Sequence, residues 1–281
     1  MKIATTIAEV REQVAQWKKE GLTVGLVPTM GYLHEGHASL VDKAVEMCDR
    51  VVASVFVNPT QFGPNEDLET YPRDFEHDCK LLSEHGCSMV FHPEVEEMYA
   101  EGAETYVEIL SEMPKQLCGK TRPIHFRGVC TVVAKLFNIV MPDRAFFGQK
   151  DAQQLAIIKK MVRDMSYGIE IVGCPIIREE DGLAKSSRNT YLSKEERKAA
   201  LVLSKSVFLG QEMVRNGEKD ADKVVDAMVK NIEKEPLAKI DYVSAVDGTT
   251  MLKTDKIEKD VLVAMAVYIG KTRLIDNFIV E

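Results

Sequence analysis

The sequence predicts an α/β fold: a Rossmann-like open parallel sheet with helices on both faces, followed by a smaller α+β domain. Two observations carry this prediction. Apolar runs at 23–28 and 50–57 flank a segment of helical periodicity, which is the spacing of a βαβ unit. After residue 175 the alternation gives way to helices followed by strand-like runs. We therefore expect an N-terminal domain over 1–176 and a C-terminal domain over 177–281.

Periodicity assigns the elements of the first domain in chain order. Apolar residues at helical spacing predict helices over 5–19, 36–48, 71–85, 128–140 and 151–165. Apolar or β-branched runs bounded by Gly, Pro or Asn predict strands over 23–28, 50–57, 88–91, 105–110, 144–147 and 169–172. In an open sheet of this kind, ligands bind beyond the carboxyl ends of the strands.

The C-terminal domain follows a polar stretch at 176–188. Helical spacing predicts helices over 193–216 and 221–234, and apolar runs predict strands over 240–246, 261–269 and 272–279. The last two runs are separated only by Gly270 and Lys271, so they should form an antiparallel hairpin. We expect this domain to close over the site of the first one.

Composition excludes several classes of protein. The 281 residues carry 36 basic and 44 acidic side chains, a net charge of −8 that disfavours a nucleic-acid-coating protein. Residues 64–112 hold 14 acids and two bases, whereas 118–163 hold nine bases and two acids, and this basic block suits a small anionic ligand. The longest apolar runs, such as 261–269, are far below the ~20 residues of a membrane span, and no signal peptide is evident. Six cysteines without C-x-x-C spacing indicate reduced thiols in a reducing compartment.

The most informative motif is PTMGYLHEGH, which joins the strand at 23–28 to the next helix. A helix N-terminus offers unpaired N–H groups and the positive end of the helix dipole, both suited to phosphate. His34 and His37 are three residues apart and can each donate a hydrogen bond to a phosphate oxygen. Two alternatives stay open: a pair of surface histidines, or a metal pair, although HEGH is one residue short of the zinc-protease spacing.

Three further motifs place polar groups at strand ends or between the domains. Asn58 and Gln61 follow the strand at 50–57, where the alternative is a turn capped by Asn. Gly148, Lys150, Asp151 and Gln154 lie in FGQKDAQQ, where Asp151 could simply cap a helix. The segment REEDGLAKSSRN contains Lys185, Ser186, Ser187 and Arg188 in four consecutive positions, which could bind an anion. The alternative is that this segment is a polar linker between the domains. Arg127, in the basic block, is another candidate for anion binding.

These segments resemble the pantoate–β-alanine ligase family along essentially the whole chain. PTMGYLHEGH carries the H-x-G-H signature of the HIGH-type nucleotidyltransferase superfamily, which alone is moderately specific. FVNPTQFGPNEDLETYPRD and GQKDAQQ are much more specific, and DGLAKSSRN follows in the same order. No P-loop and no G-x-G-x-x-G fingerprint occurs, so a nucleotide site here would use the strand-end histidines.

The resemblance implies an ATP-dependent ligation in two steps. Pantoate attacks the α-phosphate of Mg-ATP to give pantoyl adenylate and pyrophosphate, and the amine of β-alanine then displaces AMP to give pantothenate. The family is typically a cytoplasmic homodimer, with no nucleic acid or membrane as a partner. The protein needs no nucleophile of its own, so catalysis rests on positioning and charge stabilisation.

The resemblance also implies roles for individual residues. The groups expected to act in catalysis are His34, His37 (the proposed proton donor), Lys150, Ser186, Ser187 and Arg188. Those expected to bind ATP also include Met30, Gly31, Gly148, Gln149, Asp151, Ile177 and Lys185. Those expected to bind pantoate or β-alanine are Asn58, Gln61, Arg127 and Gln154. Asp78 is a candidate for a Mg²⁺ ligand. Lys185 stands where similar sequences often have an apolar residue, and it either adds a phosphate contact or points to solvent.

Three other functions are weighed against this one. A cytidylyltransferase or adenylyltransferase shares H-x-G-H but releases a nucleotidyl product. An NAD-dependent dehydrogenase uses a similar sheet but needs the missing glycine fingerprint. A non-catalytic nucleotide-binding module would bind ATP without turnover, and replacing His37 would not affect it.

Overall fold

The computed structural model describes residues 1–64 and 66–281. Its larger sheet consists of the strands β1 (Lys2–Ala4), β2 (Val24–Thr29), β3 (Arg50–Val55), β4 (Met89–Phe91), β5 (Arg144–Gly148) and β6 (Glu170–Cys174). Their spatial order is β1-β4-β3-β2-β5-β6, and all neighbouring pairs run parallel. This is the predicted open parallel sheet.

Helices connect the strands of this sheet. They are α1 (Ile7–Lys19), α2 (Glu35–Met47), α3 (Phe75–Glu84), α4 (Val95–Met98), α5 (Cys118–Thr121), α6 (His125–Val140) and α7 (Ala152–Asp164). Leu40 of α2 and Leu82 of α3 belong to one buried apolar cluster, which also contains residues of the central strands. α1 and α6 pack together and against β2.

The strand order reverses beside β2, which pairs with β3 on one side and β5 on the other. From β2 the chain continues to β3 and then β4 on one side of β2, whereas the later strands β5 and β6 lie on its other side. Loops at such a reversal diverge and leave a crevice at the carboxyl ends of the strands. The motif of His34 and His37 leaves β2 at this point, and Gly148 ends β5 beside it.

The second sheet is antiparallel and has three strands, β7 (Ala238–Asp247), β8 (Val261–Ile269) and β9 (Thr272–Ile279), in that spatial order. The remaining helices are α8 (Lys194–Ala199), α9 (Leu201–Arg215) and α10 (Ala221–Ile232). The sheet and these helices share a buried apolar cluster that includes Val207, Met228 and Val263. The predicted hairpin of β8 and β9 is confirmed by their register.

Three details differ from the sequence predictions. The strand expected at 105–110 is wrong: Leu110 is 83% exposed, and the N–H of Val107 donates to Thr131 Oγ1 at 3.0 Å instead of to a neighbouring strand. An apolar, β-branched run forms a strand only where a partner strand is available. The helix expected over 193–216 is divided at Ala200 into two helices. The sequence patterns did not predict β1, because a strand of three residues is too short to show a hydrophobic periodicity.

The chain forms two compact units, each assembled from several segments. The first comprises Met1–Ile109, Arg122–Gln149 and Ile157–Pro175, and the second comprises Leu110–Thr121, Lys150–Ala156 and Ile176–Glu281. The boundary expected at residue 176 places Leu110–Thr121 and Lys150–Ala156 in the first domain, whereas both segments pack with the second unit. Within that unit Gln153 bonds the backbone of both Met113 and Cys118, which explains why the two segments stay together.

Candidate active site

His34 and His37 lie at the N-terminus of α2, directly after the loop that leaves β2. His34 is the N-cap residue, and His37 occupies the third helical position. Their ring centroids are 4.2 Å apart, so the sequence spacing does bring the two imidazoles together. Both side chains are half-buried. The pair therefore presents two imidazoles beside the positive end of a helix dipole.

The two histidines replace the usual residues of a capping box. His34 Nδ1 accepts the N–H of Gly36 at 3.1 Å, and His37 Nδ1 accepts the N–H of His34 at 3.4 Å. An accepting Nδ1 carries no proton, so the proton of each neutral ring is on Nε2. The caps thus fix the tautomer in which Nε2–H is a hydrogen-bond donor, as an anionic ligand requires.

Asp78, from the first turn of α3, holds the loop between β2 and α2. Its carboxylate accepts the N–H of Leu33 at 2.7 Å and the N–H of Tyr32 at 2.9 Å, and the residue is 1% exposed. Burial raises the pKa of Asp78 above its ordinary 3.8, although the two backbone N–H groups act to lower it.

This geometry argues against the expectation that Asp78 is a Mg²⁺ ligand, which stays a prediction. Both oxygens already accept backbone N–H groups, and the carboxylate lies away from solvent. The structure gives it a positioning role instead: it stabilises a loop in which Gly31 has φ +85°. A Cβ at Gly31 would lie 3.0 Å from Asp78 Oδ2, so both space and backbone conformation favour glycine there.

Gln61 lies beside this loop and is held by Asn58. Gln61 Nε2 is 3.0 Å from the sulfur of Met30, and its Oε1 accepts Asn58 Nδ2 at 3.2 Å. Asn58 is 1% exposed, also donates to the carbonyl of Gly128 and accepts the hydroxyl of Tyr99 at 2.9 Å. The structure thus brings Met30 and Gln61 together, but it assigns Asn58 to the support of the turn, which was the alternative interpretation.

Helix α6 packs tightly against the turn that carries Gln61. A Cβ on Gly128 would lie 2.4 Å from the carbonyl oxygen of Thr60 and 2.6 Å from the Cα of Gln61. His125 Nδ1 lies 3.0 Å from the backbone carbonyl of Gln61. The position of Gln61 therefore depends on two residues of α6 that the sequence motifs did not single out.

Two arginines of the basic block have different surroundings. Arg127 lies over the ring of Tyr106, with Cζ 4.8 Å from the ring centroid, so its guanidinium has an aromatic partner. Arg122, which sequence reasoning missed, forms a bidentate ion pair with Glu66 in which both side chains are about four-fifths buried. The signal available for Arg122 was its place in the same basic block, five residues before Arg127.

Gly148 and Gln149 end a segment of the first unit, and the second unit holds the remaining candidate groups from Lys150 onwards. β5 ends at Gly148, and a 3₁₀ turn over Gln149–Asp151 leads into α7. Lys150 Nζ lies 3.4 Å from Asp151 Oδ2, and the Lys150 side chain is 23% exposed. Gln154 is half-buried on the first turn of α7. Asp151 is the last residue of the 3₁₀ turn and directly precedes the helix.

The segment 177–191 of the same unit forms a tight turn and then a 3₁₀ helix. The carbonyl of Ile177 accepts the N–H of Lys185 at 2.9 Å. Lys185 Nζ is 3.3 Å from the carboxylate of Glu179, so this lysine has an acidic partner within its own turn. Ser186 caps the 3₁₀ helix by accepting the N–H of Arg188 at 3.3 Å, and Ser187 is buried.

A comparison with models of protein families identifies the family of this chain. A family model described as pantoate-beta-alanine ligase matches residues 2–279. The chain belongs to the pantoate–β-alanine ligase family. As a member it is an enzyme, a ligase that joins pantoate to β-alanine, and the alternatives of a dehydrogenase or a non-catalytic module no longer apply.

Relatives of this ligase family match over their full length. The chain is 61% identical over 281 residues to a pantothenate synthetase of Enterococcus faecalis, and the match covers 100% of this chain and 99% of that one. It is 62% identical over 278 residues to a pantothenate synthetase of Ruminiclostridium cellulolyticum, covering 99% and 98%.

Solved structures agree in fold. A pantothenate synthetase of Thermus thermophilus superposes with a TM-score of 0.94 at 44% identity, covering 99% of both chains. A pantoate–β-alanine ligase of Francisella tularensis, described as complexed with beta-gamma ATP and β-alanine, has a TM-score of 0.80 at 34% identity, covering 99% of this chain and 97% of that one.

Proposed function

We propose that this ligase makes pantothenate in two steps, with pantoyl adenylate as the intermediate. The carboxylate of pantoate attacks the α-phosphorus of ATP, and pyrophosphate leaves. The deprotonated amine of β-alanine then attacks the acyl carbon, and AMP leaves with the electrons of the broken bond. Support for ATP and β-alanine as ligands comes from the description of the Francisella tularensis relative.

The observation that carries this proposal is the histidine pair at the switch point of the sheet. Both rings use Nδ1 for caps of α2 and keep the proton on Nε2. We assign both Nε2–H groups to the phosphates of ATP, with His37 donating as negative charge develops on the leaving pyrophosphate. Fixed donors of this kind stabilise the transition state without reorganising.

Other roles follow from the resemblance and stay part of the proposal. Gln61 orients pantoate and then β-alanine, and Gln154 orients pantoate. The proposed ATP contacts in the first unit are Met30, Gly31, Gly148 and Gln149. In the second unit they are Lys150, Asp151, the backbone of Ile177, Lys185, Ser186, Ser187 and Arg188. Because the hydrogen bonds of Asn58 go to groups inside the protein, we assign it to support of the site. Arg127 stays a proposed contact of pantoate or β-alanine, since stacking on Tyr106 leaves its N–H groups able to donate.

Magnesium enters this scheme as part of the substrate, Mg-ATP. Among the residues that the structure describes, no group of three His, Cys, Asp or Glu side chains could hold a metal ion. Bound Mg²⁺ commonly keeps several waters and phosphate oxygens as ligands, so a dedicated protein cage is not required. No step of the proposal passes through a protein-bound metal.

We also infer the cellular compartment and the oligomeric state of the enzyme. In the described parts of the chain, no helix is long and apolar enough to cross a bilayer. All six cysteines are free, which fits a reducing compartment. The free thiols and the family resemblance support a cytoplasmic enzyme, and we infer from the resemblance that it works as a homodimer.

Isotope exchange between pyrophosphate and ATP tests the proposed order of steps. Labelled pyrophosphate should enter ATP when pantoate is present and β-alanine is omitted, because adenylate formation is reversible and precedes the amine. Exchange that requires β-alanine, or that proceeds without pantoate, would rule out a free-standing adenylation step.

A further inference from the structure

Strand β9 carries two adjacent buried polar residues, Asp276 and Asn277, which are 1% and 3% exposed. Neighbouring residues of a strand point to opposite faces of the sheet. Asp276 shares its face with Leu274 and Phe278, which belong to the apolar cluster formed with the helices of the second unit. Asn277 is therefore on the other face. Buried polar groups without a solvent contact need an explanation in terms of their partners.

Asp276 pairs with Arg178, at the start of the turn that leads to Lys185. The two carboxylate oxygens accept Arg178 Nη1 at 2.7 Å and Nη2 at 2.8 Å, which is a bidentate pair. Arg178 Nη1 also donates to the carbonyl of Gly182 at 3.1 Å, across the same turn. Asp276 thus orients the guanidinium of Arg178, and that guanidinium links the two ends of the turn, from Arg178 to Gly182, which lies three residues before Lys185.

Asn277 contacts the backbone of Lys150. Asn277 Nδ2 donates to the carbonyl oxygen of Lys150 at 2.9 Å. Lys150 lies in the 3₁₀ turn between β5 and α7, and this bond fixes the peptide from which its side chain departs. Two consecutive residues of one strand therefore hold two segments that are far apart in sequence, 150 and 178–188.

We propose that Asp276 and Asn277 are positioning residues for ATP: β9 sets the relative placement of Lys150 and the Lys185–Arg188 segment within the second unit. This inference rests on the proposed function, because those groups are the ones assigned to the phosphates. Neither residue touches the ligand in this account. Each acts through the segment it holds, and misplacement of a binding group by about 1 Å can cost ~10²-fold.

A purely structural role is the competing explanation, and the two differ in measurable quantities. A residue that only stabilises the second unit lowers its resistance to denaturant when it is replaced, while ATP binding by the folded protein is unchanged. Replacing a positioning residue raises the dissociation constant and the KM for Mg-ATP in protein that is fully folded at the assay temperature. The KM for β-alanine is not expected to follow, because the amine enters after the phosphates have reacted.

The test compares Asp276→Asn and Asn277→Asp with a matched control, Met228→Ala. Asp276→Asn keeps the shape but removes the charge that pairs with Arg178, and Asn277→Asp removes the donor to Lys150. Met228 is fully buried in the apolar cluster of the same unit, and its truncation destabilises the protein without removing a bond to either segment. Binding of Mg-ATP is measured by calorimetry, steady-state kinetics give KM and kcat, and urea unfolding gives stability.

We expect both polar variants to weaken Mg-ATP binding by about ten-fold or more, with the KM for β-alanine within about two-fold of wild type. Met228→Ala should unfold at lower urea yet bind Mg-ATP normally. Should Asp276→Asn fail to fold, Asn277→Asp decides alone. Normal Mg-ATP binding in the folded polar variants, or equal weakening in Met228→Ala, overturns the inference. A wild-type protein that binds Mg-ATP but makes no pantothenate overturns the proposed function instead.

Discussion

The Oδ1 atom of Asp78 accepts the backbone N–H of Leu33 at 2.7 Å, across 45 positions of sequence. The other oxygen accepts the N–H of Tyr32, so one buried carboxylate on α3 sets the path of the loop that delivers His34. Asp78 was expected to be a metal ligand, and its hydrogen bonds favour a role in supporting the histidine motif instead. Its contribution is therefore to the geometry of the site and to stability.

Replacing Asp78 by Asn should destabilise the protein without changing its demand for magnesium. The amide keeps one acceptor and loses the other, which leaves a buried N–H unpaired at a cost of roughly 1–3 kcal/mol in urea unfolding. The KM for ATP should rise equally at low and at saturating Mg²⁺. An activity loss that excess Mg²⁺ repairs would restore the metal role that the geometry argues against. Asp74→Asn, which alters only the N-cap of α3, is the control.

Replacing His37 by Ala should reduce kcat for adenylate formation by ~10²-fold or more, the effect of losing one preorganised donor to developing charge. The measurement is single-turnover formation of pyrophosphate from saturating ATP and pantoate, because pyrophosphate leaves in the adenylation step. His85→Ala is a suitable control, because His85 pairs with Asp42, further along α2 than the motif histidines. If His37→Ala forms the adenylate as fast as His85→Ala does, His37 has no role in the adenylation step.

Adding one methyl group to Gly128 should disturb the turn that holds Gln61. The Cβ would lie 2.4 Å from the carbonyl oxygen of Thr60, so α6 and the turn must separate, at a cost of about 1–3 kcal/mol. We expect the KM for pantoate to rise together with the loss of stability. Gly168→Ala is the matched control, since a Cβ there meets nothing within 4 Å. Equal pantoate KM values for the two alanine variants would contradict the dependence of Gln61 on α6.

The ion pair of Glu66 and Arg122 should make stability depend on pH in the acid range. Burial raises the pKa of Glu66, but the hydrogen bonds and charge of Arg122 outweigh it, so the pKa lies below the ordinary 4.5. A lowered carboxyl pKa means that the stabilisation is fully present above the ordinary value and is lost as pH falls through the folded value.

Glu66→Gln measures this contribution directly. At pH 7 the variant should be less stable than wild type by roughly 1.5–3 kcal/mol, as expected for a hydrogen bond between charged groups. The difference should shrink below the ordinary value of 4.5 as wild-type Glu66 becomes protonated. Urea titrations at several pH values provide the comparison, and a difference that stays constant down to the acid limit would show that the charge is not the cause.

Sequence patterns predicted the larger features because those features are local. The helices and strands around His34 follow from apolar periodicity, and the motif after β2 predicted a histidine pair at the start of a helix. The role of Asp276 has no local signal: its charge is explained only by Arg178, which lies 98 residues earlier and meets it through packing of the second unit.

The same limit explains the failures. Residues 105–110 are rich in apolar and β-branched residues, as a strand is, but whether a strand forms depends on a neighbour that local sequence does not reveal. Asn58 has the chemistry of a ligand contact, and only its partners Gly128 and Tyr99 show that its hydrogen bonds are used inside the protein. Gly128 itself has no sequence signal that separates it from an ordinary helix residue, because its constraint comes from a turn that is distant along the chain.

The most direct test of the central claim is AMP formation by the purified chain from ATP, pantoate and β-alanine. AMP and pantothenate should appear in equal amounts, pyrophosphate should accumulate at the same rate, and omission of either pantoate or β-alanine should abolish turnover. AMP release that does not depend on β-alanine, or the absence of pantothenate with all three substrates present, would contradict it.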